Sequence, residues 1–457
     1  MKNFPSPQAM KWLFQPGISP HQTKPIKPSM NAFQLIPVIF ISLVAFLSAA
    51  EAPKPNIILI ISDDQGFGDY GFMGSKTAVT PHIDRLAAES QLYTRGYSMP
   101  VCSPSLATLL TGLLPHQHGI TGNDLAASPG KPSKKNRDPL TKRLLANPLI
   151  LPKALTDAGY LTFQSGKLWN TTFKDVGFTH GMTGTAGRHG DAGLDIGRKG
   201  LKPLTDFMDF AQAEKKPFFV WYAPMLPHQP HNPPKDLLKK HTGRGLTPAS
   251  EKYHAMVEWF DQTCGEISTY LTEHQLAENT VIVYLSDNGW DAAKAHDGHR
   301  SKLSPYELGI RTPIFVRWPA KVKPLRDETT LASIIDVVPT LLDVAGIQKP
   351  AALPGLNLID QDEMKKRSAI TIEAYTHDIA NLADPKQSLI AHVVLSGWSK
   401  LVVPGPAKPD RPFSTAPQSP ELFNLQLDPL ETTDLAQERV EELKRLESIR
   451  VSGWHTP

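Results

Sequence analysis

Cysteine is nearly missing from this chain: 457 residues hold two, Cys102 and Cys264. That excludes a disulfide-dense scaffold and leaves room for one bridge. A surplus of one charge is missing too. Lys and Arg (48) almost balance Asp and Glu (45), for a formal net charge of +3, so nothing in the composition demands a nucleic acid partner. Internal repeats are absent. Long apolar runs are absent but for "LIPVIFISLVAFLSAA", Leu35 to Ala50, which is short for a membrane span and contains Pro37. It reads as the apolar stretch of a secretory signal peptide, cleaved after Ala50. The alternative is an uncleaved N-terminal anchor, the one membrane contact the sequence offers. A start at Met30 would give the signal an ordinary length, and no cysteine follows it to carry a lipid. The expected location is outside the cytoplasm, periplasmic or secreted.

What is present describes an ordinary globular protein: 40% hydrophobic and 20% charged residues. The 42 prolines predict many loops. "NIILIISDD" (56–64) is a continuous β-branched run, the pattern of a strand buried on both faces. "TVIVYLSDNG" (280–289) repeats it, and "FFVWYAP" (218–224) and "TPIFVRWP" (312–319) add two strands. Helices are expected after Thr80-Pro81, over 151–158, over 251–271 and within "SIIDVVPTLLDVAG", closed by Gly346. Cys264 falls on the 251–271 helix, in or near the core. Strands alternating with helices predict an α/β fold whose large, mostly parallel sheet is sandwiched by helices over 51–364. From 365 to 457 the texture changes to strands (369–374, 389–395, 398–403) and a terminal helix (437–449). That predicts a smaller C-terminal α+β part with an antiparallel sheet. The basic run "KPSKKNRDPLTKR" reads as a solvated loop.

Two strands end in matched acids, Asp63-Asp64 and Asp287-Asn288. In open α/β sheets ligands sit beyond the carboxyl ends of strands. Three carboxylates and an amide converging there suit a hard divalent cation such as calcium or magnesium, and their repulsion needs one. One such ending alone would be a turn; two matched ones favour a metal. "VCSPSLATLLTG" (101–112) puts Cys102 before a helix carrying Leu106, Leu109, Leu110 and Leu113, with Ser103 as N-cap and Pro104 at the first helical position. A helix N-terminus favours an anion and activates a thiol there; the plainer alternative is a buried structural cysteine.

These residues resemble the type I sulfatases of the alkaline phosphatase-like superfamily, over roughly 54–440. The resemblance rests on "PNIILIISDDQGFGDYG", "TPHIDRLAAES", "CSPSLATLLTG" with "PHQHG", "SGK" (165–167), "PHQPHNPP", "LSDNG", "YELGIRTPIFVRWP" and "LFNLQLDPLETTDLA". It implies hydrolysis of sulfate monoesters on a sulfated carbohydrate. It also implies that Cys102 is oxidised by a formylglycine-generating enzyme, the hydrated aldehyde being the nucleophile. One hydroxyl attacks sulfur, and the second then expels sulfate as the aldehyde re-forms. By the same resemblance Asp63, Asp64, Asp287, Asn288 and residue 102 hold one Ca2+, and Lys167, His228 and Lys302 bind sulfate or assist the leaving group.

Three positions depart from the family pattern. Leu106 stands where the family has arginine, Trp169 where it has histidine, and Leu308 where it has glycine. Arg95, Arg300 or another cation is a candidate to replace the missing charge. The departures motivate a second reading, a non-catalytic relative that binds sulfated glycans. A third, a phosphatase or phosphodiesterase of the same superfamily, rests on "HDGH" (296–299) as a second metal cluster; a polar loop is the plainer reading. Loops 123–150, 184–203 and 405–420 are expected to shape the pocket.

Overall fold

The run Asn56–Ser62 (β1) buries all seven of its residues. Its alternate side chains go to opposite faces: Ile57, Leu59 and Ile61 join one apolar cluster, Ile58 and Ile60 another. A strand wet on neither face has no polar alternation to show. The computed structural model describes residues 53–126, 138–168, 171–184, 191–291, 300–411 and 414–453. The expected signal segment (1–50), Trp169 and the "HDGH" segment (296–299) lie outside them. Among the described residues no helix is long and apolar enough to cross a membrane.

Around β1 lie Gln91–Tyr97 (β2), Leu161–Gly166 (β3), Phe218–Ala223 (β4), Thr280–Ser286 (β5) and Arg311–Arg317 (β6). With short strands at Leu325–Asp327, Ala332–Ser333 and His180–Gly181, they make a nine-stranded sheet. Its central order is β2-β6-β5-β1-β4-β3. Only β6 runs antiparallel to its neighbours β5 and β2; β5, β1, β4 and β3 pair parallel. This is the mostly parallel sheet expected. β2 (QLYTRGY) and β3 (LTFQSG) were not legible, because their polar residues are buried within hydrogen-bonded networks rather than replaced by apolar ones. Arg95 on β2 donates to the carbonyls of Thr329 (3.0 Å) and Gly397 (2.7 Å) and stacks on Trp398.

Helices cover both faces: Pro81–Ala88 (α1), Cys102–Thr111 (α2), Leu151–Asp157 (α3), Lys202–Ala213 (α4), Pro248–Glu273 (α5) and Val337–Val344 (α6). Gly346, at φ +72°, ends the α6 segment in the left-handed conformation that favours glycine. Thr80 precedes α1 but does not cap it with its side chain. Asp261 on α5 does so instead, accepting from Ile83 N (2.7 Å) and His82 N (3.2 Å). Cys264 is fully buried in the apolar cluster around α5, and the two cysteines are not bridged to each other.

Ile370–Tyr375 (β7), Leu389–Ser396 (β8), Ser399–Pro404 (β9) and Glu421–Asn424 (β10) form the antiparallel sheet, in chain order, and Val440–Gly453 (α7) follows. Ile372 and Val393 belong to the same apolar cluster as Leu59 of β1. Lys400 on β9, fully buried, pairs with Glu307 (3.1 Å) and Glu431 (2.7 Å). Because Glu307 opens the short helix Glu307–Ile310, this ion cluster braces the segment that carries Lys302.

Candidate active site

Parallel pairing in register sets Ser62 beside Ser286, so β1 and β5 end at the same level and Asp63-Asp64 meet Asp287-Asn288. Asp63 N donates to Leu226 O (3.0 Å) and Asp287 N to Ser62 O (2.9 Å), which extends the ladder one residue past each strand. Asp64 then turns with φ +60°, a conformation that costs a non-glycine residue energy. The turn sends its carboxylate back across the strand ends, where Asn288 Nδ2 donates to Oδ1 at 2.7 Å. Its own N–H donates to Asp287 Oδ1 at 3.2 Å.

The cations arrive from other elements. Lys167 follows β3 directly and contacts both oxygens of Asp63, at 2.7 and 2.8 Å, with Asp287 Oδ2 at 3.6 Å. Lys302 donates to Asp64 Oδ1 at 2.5 Å. His228 Nε2 lies 3.4 Å from Asp64 Oδ2. Donor atoms of Asp63, Asp64 and His228 all lie within 4.8 Å of one another.

Burial pushes the Asp63 carboxyl up, but Lys167 and His228 outweigh it and hold it below the usual carboxylate range. The same holds for Asp64, through Lys302 and His228. Asp287 goes the other way: burial, then the Asp63 charge, outweigh Lys167 and push it well up. The expected rise in all three carboxyls is therefore found in one, because two lysines compensate the other two. Both lysines stay cationic, since nearby carboxylates and the Cys102 position outweigh their desolvation. Burial lowers His228 despite Asp63 and Asp64.

Cys102 is fully buried, with Val101 and Leu303 packed against it. It stands at the first helical position of α2, with Val101 before it as N-cap. Ser103 is thus not the cap and Pro104 lies two residues inside: the helix begins earlier than expected, since the strain-free φ of proline suits any position of a first turn. Lys167, Lys302 and Asp287 all lie near enough to residue 102 that ionising its thiol would raise the pKa of each. Asp63, Asp64, Cys102, Lys167, His228, Asp287, Asn288 and Lys302 are thereby gathered at one end of the sheet. Sequence reasoning missed Asn123, whose Oδ1 lies 3.5 Å from Cys102 Sγ and accepts from Ser103 N at 3.2 Å. Nothing in "TGNDL" distinguishes it from a loop asparagine.

The family described as Sulfatase matches residues 55–347. The chain belongs to the sulfatase family. Human (Homo sapiens) N-acetylgalactosamine-6-sulfatase is 30% identical over 361 residues, 68% of this chain and 67% of that one. Human arylsulfatase A is 26% identical over 471 residues, 88% of each. Among solved structures, BT4656 in complex with its substrate D-glucosamine-2-N,6-O-disulfate shares the alkaline phosphatase-like fold at a TM-score of 0.65. It is 20% identical, over 87% of this chain and 96% of that one.

Within this sulfatase, Leu106 is buried in the main apolar cluster at 1% exposure. Neither candidate arginine replaces the missing charge. Arg95 is held by the carbonyls named above, and Arg300 donates to Glu431 O and stacks on Tyr306, 4.0 Å from the ring centre. Leu308 lies in a helical turn, which needs no glycine. Its carbonyl packs where Gly289 has no side chain; a Cβ there would come within 2.2 Å of it.

Proposed function

We propose that this chain is an exported, calcium-dependent sulfatase that hydrolyses sulfate monoesters on a sulfated carbohydrate, with formylglycine made from Cys102 as nucleophile. The observation that carries the reading is the pair of orphaned oxygens in the strand-end cluster. Among the described residues Asp287 Oδ2 and Asn288 Oδ1 are buried with no hydrogen-bond partner, Lys167 Nζ standing off from the former at 3.6 Å. Such atoms cost free energy unless something completes them. A donor set made only of carboxylate and amide oxygens fits a hard cation. Asp63, Asp64, Asp287 and Asn288 would hold it, with residue 102 alongside. A bound calcium supplies Lewis-acid stabilisation of charge on sulfate oxygens.

The chain's own residues supply the rest. Lys167 and Lys302 keep their protons and offer fixed positive charge to an anionic ester in a dry site. A cation held by the carboxylates would leave the two ammonium groups available to an anionic ester. His228, on a loop beyond β4 and partly exposed, is placed to give a proton to the departing sugar oxygen. Its Nδ1 donates to Gln229 O at 2.6 Å, so Nε2 faces the site and can release a proton there only from the imidazolium form, which burial disfavours. A hydrate at position 102 provides both an attacking hydroxyl and a second one that permits release. The sulfated carbohydrate is supported by the substrate of BT4656 and by the sugar-directed relatives.

Mass spectrometry of the tryptic peptide spanning residue 102, from native-host protein, is expected to show the aldehyde. Sulfate release from a panel of sulfated sugars is expected and is lost in Cys102→Ala. A free thiol throughout removes the nucleophile. The buried Leu106 favours the second reading, glycan binding without turnover. Binding of sulfated sugars with no sulfate release from aldehyde-bearing protein would establish it.

A further inference from the structure

We propose that His377 is a positioning residue for position 102, orienting the Asn123 amide so that a hydrogen-bond acceptor faces that side chain. The inference rests on the reading of residue 102 as nucleophile.

Asn123 is fully buried and its amide faces two ways. Oδ1 takes the Ser103 N–H and lies against Cys102 Sγ, at 3.2 and 3.5 Å. Nδ2 lies 3.1 Å from His377 Nε2. A reversed amide would set its NH2 against the Ser103 N–H, donor against donor. So Nδ2 donates to His377, and Nε2 must be the bare ring nitrogen. The other ring nitrogen agrees. Nδ1 is 2.6 Å from Asp378 Oδ1, and a carboxylate only accepts, so Nδ1 carries the proton.

Arg411 Nη2 lies 2.9 Å from both Nδ1 and Asp378 Oδ2. Since Nδ1 is a donor, the guanidinium donates to the carboxylate and pins it. Asp410 fixes the backbone behind, accepting from His377 N (2.8 Å) and Asp378 N (3.0 Å). The two segments also join directly, Asn123 N donating to His377 O at 2.7 Å. Gly122 allows that approach: a Cβ on it would sit 2.7 Å from the same carbonyl.

Orientation therefore passes from carboxylate to imidazole to amide to residue 102. The family's arginine would reach residue 102 from the i+4 position of its own helix, where this chain has Leu106. Here the polar support comes from the antiparallel-sheet side. On a hydrate at position 102, Oδ1 accepts from one hydroxyl and restricts rotation of the diol, the kind of orientation that raises a rate without strengthening substrate binding.

The test has two arms. Protein labelled with 15N-histidine, with the His377 signals assigned by their loss in His377→Gln, is expected to show protonated Nδ1 and bare Nε2. In turnover of an active sulfated sugar, His377→Ala is expected to lower kcat about tenfold, the scale of one hydrogen bond lost in a transition state. KM should stay within about twofold, and His377→Gln, whose carbonyl can accept from Asn123, should restore kcat to within about threefold. A protonated Nε2, undiminished turnover in His377→Ala, or a loss that His377→Gln does not relieve overturns the relay. Wild-type protein that carries the aldehyde and releases no sulfate overturns the nucleophile reading instead, whatever tautomer His377 shows.

Discussion

Lys167 Nζ touches both carboxylate oxygens of Asp63, at 2.7 and 2.8 Å, with each side chain about 3% exposed. Two residues 104 apart in sequence thus form a buried ion pair where two strand ends meet. Breaking such a pair on one side leaves an uncompensated buried charge, which costs about 3–5 kcal/mol. In chelator-treated protein Lys167→Met should therefore lower the unfolding free energy by that order in urea titrations, and calcium should recover much of it. A change under about 1 kcal/mol would mean that Asp63 is not ionised in the metal-free fold.

Metal removal should be visible without any substrate. Calcium at about a hundredfold its dissociation constant stabilises by roughly 2.7 kcal/mol if it binds only the folded chain. Thermal unfolding should shift up with calcium and down with EDTA. Asn288→Leu, which removes an orphaned oxygen, should lose most of that shift. An identical shift in the variant would place the ion elsewhere.

Leu106 is a core residue in this chain. Leu106→Ala is expected to cost about 2–5 kcal/mol, as for other buried leucines. Leu106→Arg, which writes in the family's residue, should be destabilising too and should not raise turnover, because its place is lined by apolar side chains. Faster sulfate release by Leu106→Arg would contradict this.

Asp261 governs both the start of α1 and a pH dependence. Removing its two acceptor contacts in Asp261→Ala should cost about 1–2 kcal/mol. Burial pushes its carboxyl up to about 7, the Ile83 and His82 N–H groups offsetting only part. The folded chain therefore holds a proton that the unfolded chain releases near pH 4. The resulting stability is complete below that value and is lost as pH rises toward 7. Denaturant midpoints should fall across this window, and less steeply in Asp261→Asn. Part of the slope should survive, since burial also pushes Asp69 up to about 7. An unchanged slope in Asp261→Asn would mean that the group is already ionised.

The strand-end acids were legible because each pair closes an apolar run with residue types that suit a hard cation, whereas Lys167, His228 and Lys302 were legible only through the family resemblance. The strands with unbroken β-branched runs were legible for the same local reason. β2 and β3 were not: Thr94 and Arg95 are buried against partners distant in sequence, which no window of adjacent residues shows. Thr80 looked like a cap because local spacing cannot reveal that Asp261 would arrive first.

Residue chemistry and short-range periodicity by themselves determined which side chains this protein brings to its strand ends, and that its sheet is covered on both faces. Only the tertiary structure decided how charge is distributed among them. Register set Asp287 against Asp63, two lysines from separate segments neutralised one carboxylate each, and Asn123 reached Cys102 from beside the antiparallel sheet. Electrostatics and hydrogen bonding depend on distance and burial, and a linear chain specifies neither until it folds.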